Sequence, residues 1–356
     1  MKSSALAVYW CPNCRSNGLV LREQQPVALS NEIDRGMLSC LRCNAAYPVR
    51  DRVPRFVGGE EYAGSFGFQW NKFRRTQLDS HVGLPLSAER LFRVTHWPRS
   101  MPGSRVLEAG SGAGRFTEVL LATGATVFSF DLSNAVDANL TNNGHLSNLN
   151  LFQASILDIP VCEAIFDKVI CLGVLQHTPD PEKAFFSLAR YVKPGGDIAI
   201  DIYALRLTSL ISWKYLLRPI TKRISKEHLF RWVERVVNVL LPTAIVLRRI
   251  GGAWGARLLP IVEYSHLDLT LEVNREWATL DTFDMYSPVH DHPRSIRDVQ
   301  RWFDAAGFED VVVEYGPNGV IARGRRPLQP IVALGRTGDG IQSSTVDFRL
   351  QAEGER

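Results

Sequence analysis

No run of about twenty consecutive apolar residues occurs in the 356-residue chain, so nothing in it reads as a membrane-spanning segment. The opening stretch, Met1 to Trp10, is too short and too polar to be the apolar core of a secretory leader. Both absences set the expectation of a cytoplasmic protein whose thiols stay reduced. Cysteine is scarce, with 6 residues, and a disulfide framework would need an oxidising compartment. There is no internal repeat, and no strong excess of one charge: the formal net charge is +4. That mild balance is uneven. Residues 204–260 hold 11 Lys/Arg against 2 acidic residues, which leaves the remainder net acidic and points to a local basic patch, not to a protein that binds polyanions over its whole surface. A hydrophobic fraction of 45% with 22% charged residues is that of an ordinary globular protein, long enough for one catalytic domain with additions.

What is present divides into segments. Residues 1–57 contain two cysteine pairs and little helical periodicity. Residues 58–100 carry a Phe/Trp-rich helical stretch (Phe66, Trp70, Phe73, Leu78) and a second helix near Ser87–Thr95. Residues 101–203 alternate β-rich runs with helical patterns, the signature of βαβ units around a parallel sheet. Residues 204–287 read as an amphipathic helical insertion, interrupted by Pro219, Pro242, Gly251, Gly252 and Pro260. The α/β pattern resumes over 288–326 with a helix at Ser295–Ala306 and strands at Val311–Tyr315 and Val320–Arg325, joined through Gly316-Pro317-Asn318-Gly319. Residues 327–356 are polar and Gly-rich and read as a disordered tail.

The strand Arg105-Val106-Leu107 runs into Glu108-Ala109-Gly110-Ser111-Gly112-Ala113-Gly114, followed by a helix through Ala122. Alternate glycines permit a tight turn and close backbone approach to a ligand, and the helix start behind them offers free amides. Glu108 would repel a pyrophosphate and suits a ligand bearing an amino group. The next strand ends at Asp131, 21 residues after Gly110, where an acid hydrogen-bonds ribose hydroxyls. The dinucleotide fingerprint wants a third glycine where this chain has Arg115.

On these residues the chain resembles the class I S-adenosylmethionine-dependent methyltransferases. Val106–Phe116 is similar to the first motif of that family and Phe130-Asp131-Leu132-Ser133 to the second. Gln153–Pro160 is similar to the third, Phe166–Asp180 to the fourth, and Tyr191–Asp197 to the turn before the fifth strand. The resemblance implies a Rossmann-like α/β fold with a seven-stranded sheet whose seventh strand is antiparallel. It also implies S-adenosylmethionine as cofactor, held by Glu108, Gly110, Ser111, Gly112, Gly114, Asp131, Leu132, Ser155 and Ile156. Many members carry Asp where this chain has Ser155, a weaker acceptor for the adenine amino group, so the Ile156 amide or Asp158 is expected to share that role.

Cys11-Pro-Asn-Cys14 and Cys40-Leu-Arg-Cys43, 25 residues apart, can supply four thiolates to one tetrahedral structural Zn²⁺. A segment so short and poor in large apolar residues would need that cross-link to fold alone. The run Leu38–Phe56 resembles the short zinc-ribbon module called Trm112-like, a scaffold or partner-binding piece. Cys162 and Cys171 read as core residues.

His177, directly after the fourth strand, is the candidate general base, against the plainer reading of a loop-capping histidine. A second cluster, Asp281 to His292, reads as a loop over the acceptor, with Asp284, Tyr286 and His290 as binding residues. The expected reaction is methyl transfer to an O or N nucleophile of a small-molecule or glycan-type acceptor. For the basic insertion, a lid over an anionic acceptor, a membrane-surface helix, a nucleic-acid face and plain packing compete. An RNA methyltransferase is the nearest rival, because a zinc module ahead of this domain resembles the rRNA guanine-N1 methyltransferases; it is less favoured because the rest of the chain is net acidic and no RNA-binding module accompanies the insertion. A non-catalytic adaptor keeping the fold is the third reading. Oligomeric state has no sequence signal.

Overall fold

The computed structural model describes residues 1–26, 32–58, 63–205 and 212–328; all but two residues of the expected tail lie outside these. At the N-terminus a 3-10 turn (Ser3–Val8) leads into β1 (Leu19–Pro26), β2 (Ile33–Cys40), β3 (Ala46–Arg50) and β4 (Val53–Pro54), an antiparallel sheet in sequence order. The two cysteine pairs fold alike. Arg15 and Asn44, each just past the second cysteine, adopt positive φ (56° and 60°). Their amides return to the carbonyls of Cys11 and Cys40 at 2.8 and 3.0 Å. Asn tolerates that left-handed conformation readily; Arg15 is held in it by the knuckle.

Three helices follow, α1 (Gly64–Lys72), α2 (Asp79–Val82) and α3 (Leu86–Thr95), and then the alternating core: β5 (Arg105–Ala109), α4 (Arg115–Ala122), β6 (Thr126–Asp131), α5 (Ala135–Asn143), β7 (Leu149–Gln153), β8 (Phe166–Cys171), α6 (Pro181–Ala189) and β9 (Val192–Ile202). After α7 (Trp213–Thr221), α8 (Lys226–Ala256), α9 (Leu271–Tyr286) and α10 (Ile296–Ala305), the chain returns as β10 (Glu309–Gly316) and β11 (Gly319–Arg325). The sheet order is β10-β11-β9-β8-β5-β6-β7, with β11 antiparallel to both neighbours. This is the expected seven-stranded Rossmann-like sheet. Its central strands are buried on both faces, which is why they read as continuous apolar runs. Pro181 at the first turn of α6 and Asp180 accepting from the Glu182 and Lys183 amides fix that helix start. Ser295 and Asp298 form a capping box on α10, whose Trp302 and Phe303 pack on Phe185 of α6.

Two features of the insertion differ from the sequence reading. Pro219 and Pro242 do not interrupt helices but lie inside α7 and α8. Pro242 and Asn238 are both exposed, so the Asn238 carbonyl freed by the missing amide can be solvated. Only Gly252, at φ 56° and ψ −140°, kinks α8. Although no unbroken apolar run of about twenty residues exists, α8 contains a window of mean hydropathy 1.4, long and apolar enough to cross a membrane by composition.

The N-terminal module is not a separate body. It lies along β7, the edge of the large sheet. Arg55 bridges to Gln153, the Phe56 amide donates to the Gln153 carbonyl at 2.8 Å, and Tyr9 pairs with Val161. Tyr9 and Phe56 pack on Phe152 of β7, so one apolar core runs through both parts. An edge strand that would otherwise present unpaired amides is thereby covered.

Candidate functional site

The site forms where the parallel strands end. The turn after β5 is closed by the Gly110 and Ser111 amides donating to the Phe130 carbonyl at 2.8 and 3.0 Å. Gly110 has φ +73°, and a Cβ there would lie 2.2 Å from Val174 Cγ2. Gly112 has φ +52°, and a Cβ would press on the Trp70 indole at 3.1 Å. Both glycines are thus demanded by conformation and by crowding. Asp131, at the end of β6, accepts from the Gly112 amide at 2.9 Å and from the Ser133 amide and hydroxyl at 2.9 and 2.7 Å, which fixes its carboxylate at the cleft wall.

A cavity of about 570 Å³ follows, lined near the turn by Gly110, Ser111, Gly112, Asp131, Leu132 and Ile156. At its other end it is lined by His177, Tyr203, Lys214, Tyr264, Asp281 and Asp284. The cavity is continuous, so the nucleoside-type cleft and the chamber beyond it share one space. Ser111 Oγ is buried with no partner among the described residues, a donor that a polar ligand in the cleft would satisfy. Arg115, in the first turn of α4, lines the same cleft and is braced by Gln77 Oε1 at 2.6 Å and Ser87 Oγ at 3.2 Å. Burial lowers its guanidinium to about 10.

The other sequence-derived cofactor residues stand apart from the lining. Glu108 is buried beneath the turn, where its Oε2 accepts from Thr117 Oγ1 at 2.6 Å and Ser129 Oγ at 2.8 Å, while Oε1 has no partner among the described residues. Burial pushes its carboxyl up to about 7. Gly114 starts α4 at φ 91°, with Asn139 and Asn143 filling the space a Cβ would need. Ser155 Oγ accepts from the Leu157 amide at 3.2 Å and shapes the loop that presents Ile156. Asp158 turns away to Arg15 of the N-terminal module at 3.1 Å.

His177 ends a 3-10 turn (Leu175–His177) and is buried between Phe66 and Tyr203, at ring distances of 5.0 and 5.4 Å. Its Nδ1 lies 3.1 Å from the His290 carbonyl. A carbonyl only accepts, so Nδ1 carries the proton and Nε2 keeps the lone pair. Burial pushes the imidazole down to about 4, against the raising effect of that carbonyl, so the ring is neutral at physiological pH.

The cluster at 281–292 divides in a way the sequence reading did not foresee. Asp281 and Asp284 belong to the last turns of α9, not to a loop, and both face the cavity. Asp281 is bonded to the Tyr264 hydroxyl and to Gln77, and burial raises it to about 6. Asp284 accepts from the Tyr203 hydroxyl at 3.3 Å; burial raises its carboxyl and nearby Lys214 opposes that. Tyr286 lies on another face of α9, buried against Trp232 with its hydroxyl on the Pro260 carbonyl, and does not line the cavity. His290 acts through its carbonyl on His177, and its ring stacks on His292.

Arg90, Arg115, Tyr203, Lys214 and Tyr264 reach the cavity without having been marked in the sequence. Arg115 was visible only as a departure from the dinucleotide pattern, and Lys214 only as one charge of the insertion. Arg90 pairs with fully buried Asp201 of β9.

The four cysteines meet. Their sulfurs lie within 4.8 Å of one another, with Cys11–Cys43 at 3.6 Å and Cys14–Cys40 at 3.5 Å. A tetrahedral site with Zn–S bonds of about 2.3 Å has S···S edges of about 3.8 Å, so the set fits.

Residues 107–200 match a family described as "Methyltransferase domain". A ubiquinone biosynthesis O-methyltransferase of Coxiella burnetii (strain Dugway 5J108-111) is 32% identical over 101 residues, 28% of this chain and 43% of that protein. The same-named protein of Pseudomonas entomophila is 29% identical over 188 residues, 51% of this chain and 80% of its own. The chain thus spans less than half the length of the first of these relatives. A Haemonchus contortus phosphoethanolamine N-methyltransferase 2 structure aligns at TM-score 0.37 and 16% identity, covering 65% of this chain and 38% of that one. The glycine turn, Asp131 and strands β6 to β8 lie within the family match, β5 and β9 overlap its two ends, and over this stretch the chain carries a class I S-adenosylmethionine-dependent methyltransferase domain.

Proposed function

We propose that the whole chain transfers a methyl group from S-adenosylmethionine to a hydroxyl or amine of a small-molecule acceptor, glycan-type acceptors included. The observation that carries the reading is the single cavity joining the glycine turn and Asp131 to the chamber of His177, Asp281 and Asp284. When bound, the cofactor supplies an already activated methyl group. The protein's work is to bind, align and exclude water. Asp131 would hold the ribose hydroxyls, Leu132 and Ile156 would flank the adenine, the Ser111 hydroxyl would meet a polar group, and Arg115 would face the carboxylate of the methionine part. Glu108, one layer below the turn, would act on the amino end through its field and by bracing Thr117 and Ser129.

On the acceptor side, His177 Nε2 would take the proton released as the nucleophile is methylated. Its proton-bearing Nδ1 is anchored on the His290 carbonyl, so the base-competent tautomer is preset. Tyr203 and Asp284 would orient the acceptor. The relatives' names favour an oxygen nucleophile. Cys11, Cys14, Cys40 and Cys43 would hold one Zn²⁺ as a closed cross-link with no open position for chemistry.

The test is incubation of the protein with methyl-labelled cofactor and fractionated cell extract. Label should enter low-molecular-weight material, and His177→Ala should cut turnover by about a hundredfold or more while cofactor affinity holds. Label confined to RNA would replace the small-molecule reading. No transfer to any fraction by a protein that binds the cofactor would favour the adaptor.

A further inference from the structure

The outward faces of α7 and α8 are unusual for a surface in water. On α7, Leu216 and Ile220 are 66% and 63% exposed. On the C-terminal half of α8, Val246, Ile250 and Trp254 are 50%, 81% and 74% exposed, and Leu258 just beyond is 61% exposed. A spacing of four puts Leu216 with Ile220, and Val246 with Ile250, on one face of their helices; Trp254 and Leu258, past the kink at Gly252, carry the exposed apolar residues on past the end of α8. The Trp213 indole donates to the Leu258 carbonyl at 3.1 Å, which joins the start of α7 to the end of α8 and makes the two stripes neighbours. Only 17% of the apolar window of α8 is buried. Contiguous apolar surface of this kind marks an interaction site.

The charges around it narrow the occupant. Lys222, Arg223, Lys226, Arg231, Arg235, Arg249 and Arg257 are all exposed, against Glu227 and Glu234, and none of the seven forms an ion pair among the described residues. The basic residues that point inward are a different set: Lys214 pairs with Asp291, and Arg218 donates to the Pro288 carbonyl. A second copy packed on the same face would bring like charges together. Nucleic acid would engage the cations and gain little from Ile250, Val246 or Leu216. A bilayer with anionic headgroups satisfies both, with aliphatic side chains and tryptophan in the interface and the cations at the phosphates.

We propose that α7 and α8 dock the protein on an anionic membrane surface, lying in the interface and not spanning it. Spanning would pull Leu229, Phe230, Val233, Val237 and Leu241 out of their core against α9, and would break the part-buried pair of Arg248 with fully buried Glu263. Because Lys214 of α7 lines the cavity, docking sets the roof of the chamber at the headgroup layer.

The experiment is flotation of the full chain with vesicles of phosphatidylcholine alone and with a quarter of phosphatidylglycerol. The protein should float with the anionic vesicles and stay behind with the neutral ones. Leu216→Ser with Ile250→Ser and Trp254→Ser should lower the bound fraction by about tenfold, with circular dichroism and S-adenosylhomocysteine binding unchanged. Arg235→Glu with Arg249→Glu and Arg257→Glu should bring it to the neutral-vesicle level. No flotation with either vesicle, or full binding by the apolar triple variant, overturns the proposal, as does a sedimenting dimer that the same variant dissolves. None of these outcomes depends on methyl transfer.

Discussion

At Gly110 a methyl group has nowhere to go. Positive φ and the 2.2 Å approach to Val174 both oppose it. Gly110→Ala should therefore weaken S-adenosylhomocysteine binding more than about tenfold, since the left-handed conformation alone costs about 1–2 kcal/mol for a residue with a Cβ; titration calorimetry of the folded variant measures it, and an unchanged affinity would show that the turn does not touch the ligand. His177 gives a pH signature. Its folded value of about 4 lies below the ordinary 6.5, so the unfolded chain takes up the proton first as pH falls. Stability should be lost between pH 6.5 and 4, by roughly 3 kcal/mol at the lower end. Glu108 works the other way, since its folded value near 7 exceeds the ordinary 4.5 and stability falls as pH rises through that window. Comparing urea midpoints of the protein and of His177→Gln across pH isolates the histidine; parallel curves would mean that it is not buried as described. Sequence made Gly110, Gly112, Asp131 and His177 legible because each lies in a local pattern tied to a strand end. It could not show that Glu108 bonds Thr117 and Ser129 beneath the turn, or that Tyr286 faces a helix core, because both depend on which way a side chain points after packing.

Strands and helices of the α/β core were legible because two-sided burial leaves continuous apolar runs and because caps such as Ser295 and Asp298 are local. The insertion was less so. Pro242 read as a break, yet α8 continues through it, since the helix needs only one carbonyl to find water on its exposed side. The N-terminal module read as a unit needing its own cross-link, whereas its aromatic residues complete the core around Phe152. That packing couples the two parts. Arg15 holds Asp158 and the Ile159 carbonyl, and the Trp10 amide donates to Pro160, so the module braces the loop that carries Ile156. With Zn²⁺ at the four cysteines as proposed, its removal by a chelator, or Cys40→Ser, should therefore weaken S-adenosylhomocysteine binding about fivefold, the scale of one partly exposed ion pair. Calorimetry on metal-loaded and stripped protein checks it, and equal affinities with the catalytic part still folded would uncouple module and cleft.

Across the whole molecule, three layers converge on the ends of the parallel strands. The glycine turn and Asp131 form the floor of one space, the edge-covering module steadies its flank, and α7 with α9 closes it from above. The sequence indicated that the insertion was basic and helical. Only the fold separates its inward charges, Lys214 and Arg218, from the outward cations and the apolar stripe, because that division follows from which faces pack on α9. The proposed activity requires this space to accept a methionine nucleoside and not a dinucleotide. Titration calorimetry of the full chain with S-adenosylhomocysteine and, separately, with NAD tests that most directly. One site per chain for S-adenosylhomocysteine, weakened by about 1–3 kcal/mol in Asp131→Ala, with no heat from NAD, is the predicted result; NAD binding of equal strength, or no heat from S-adenosylhomocysteine in folded protein, would contradict it.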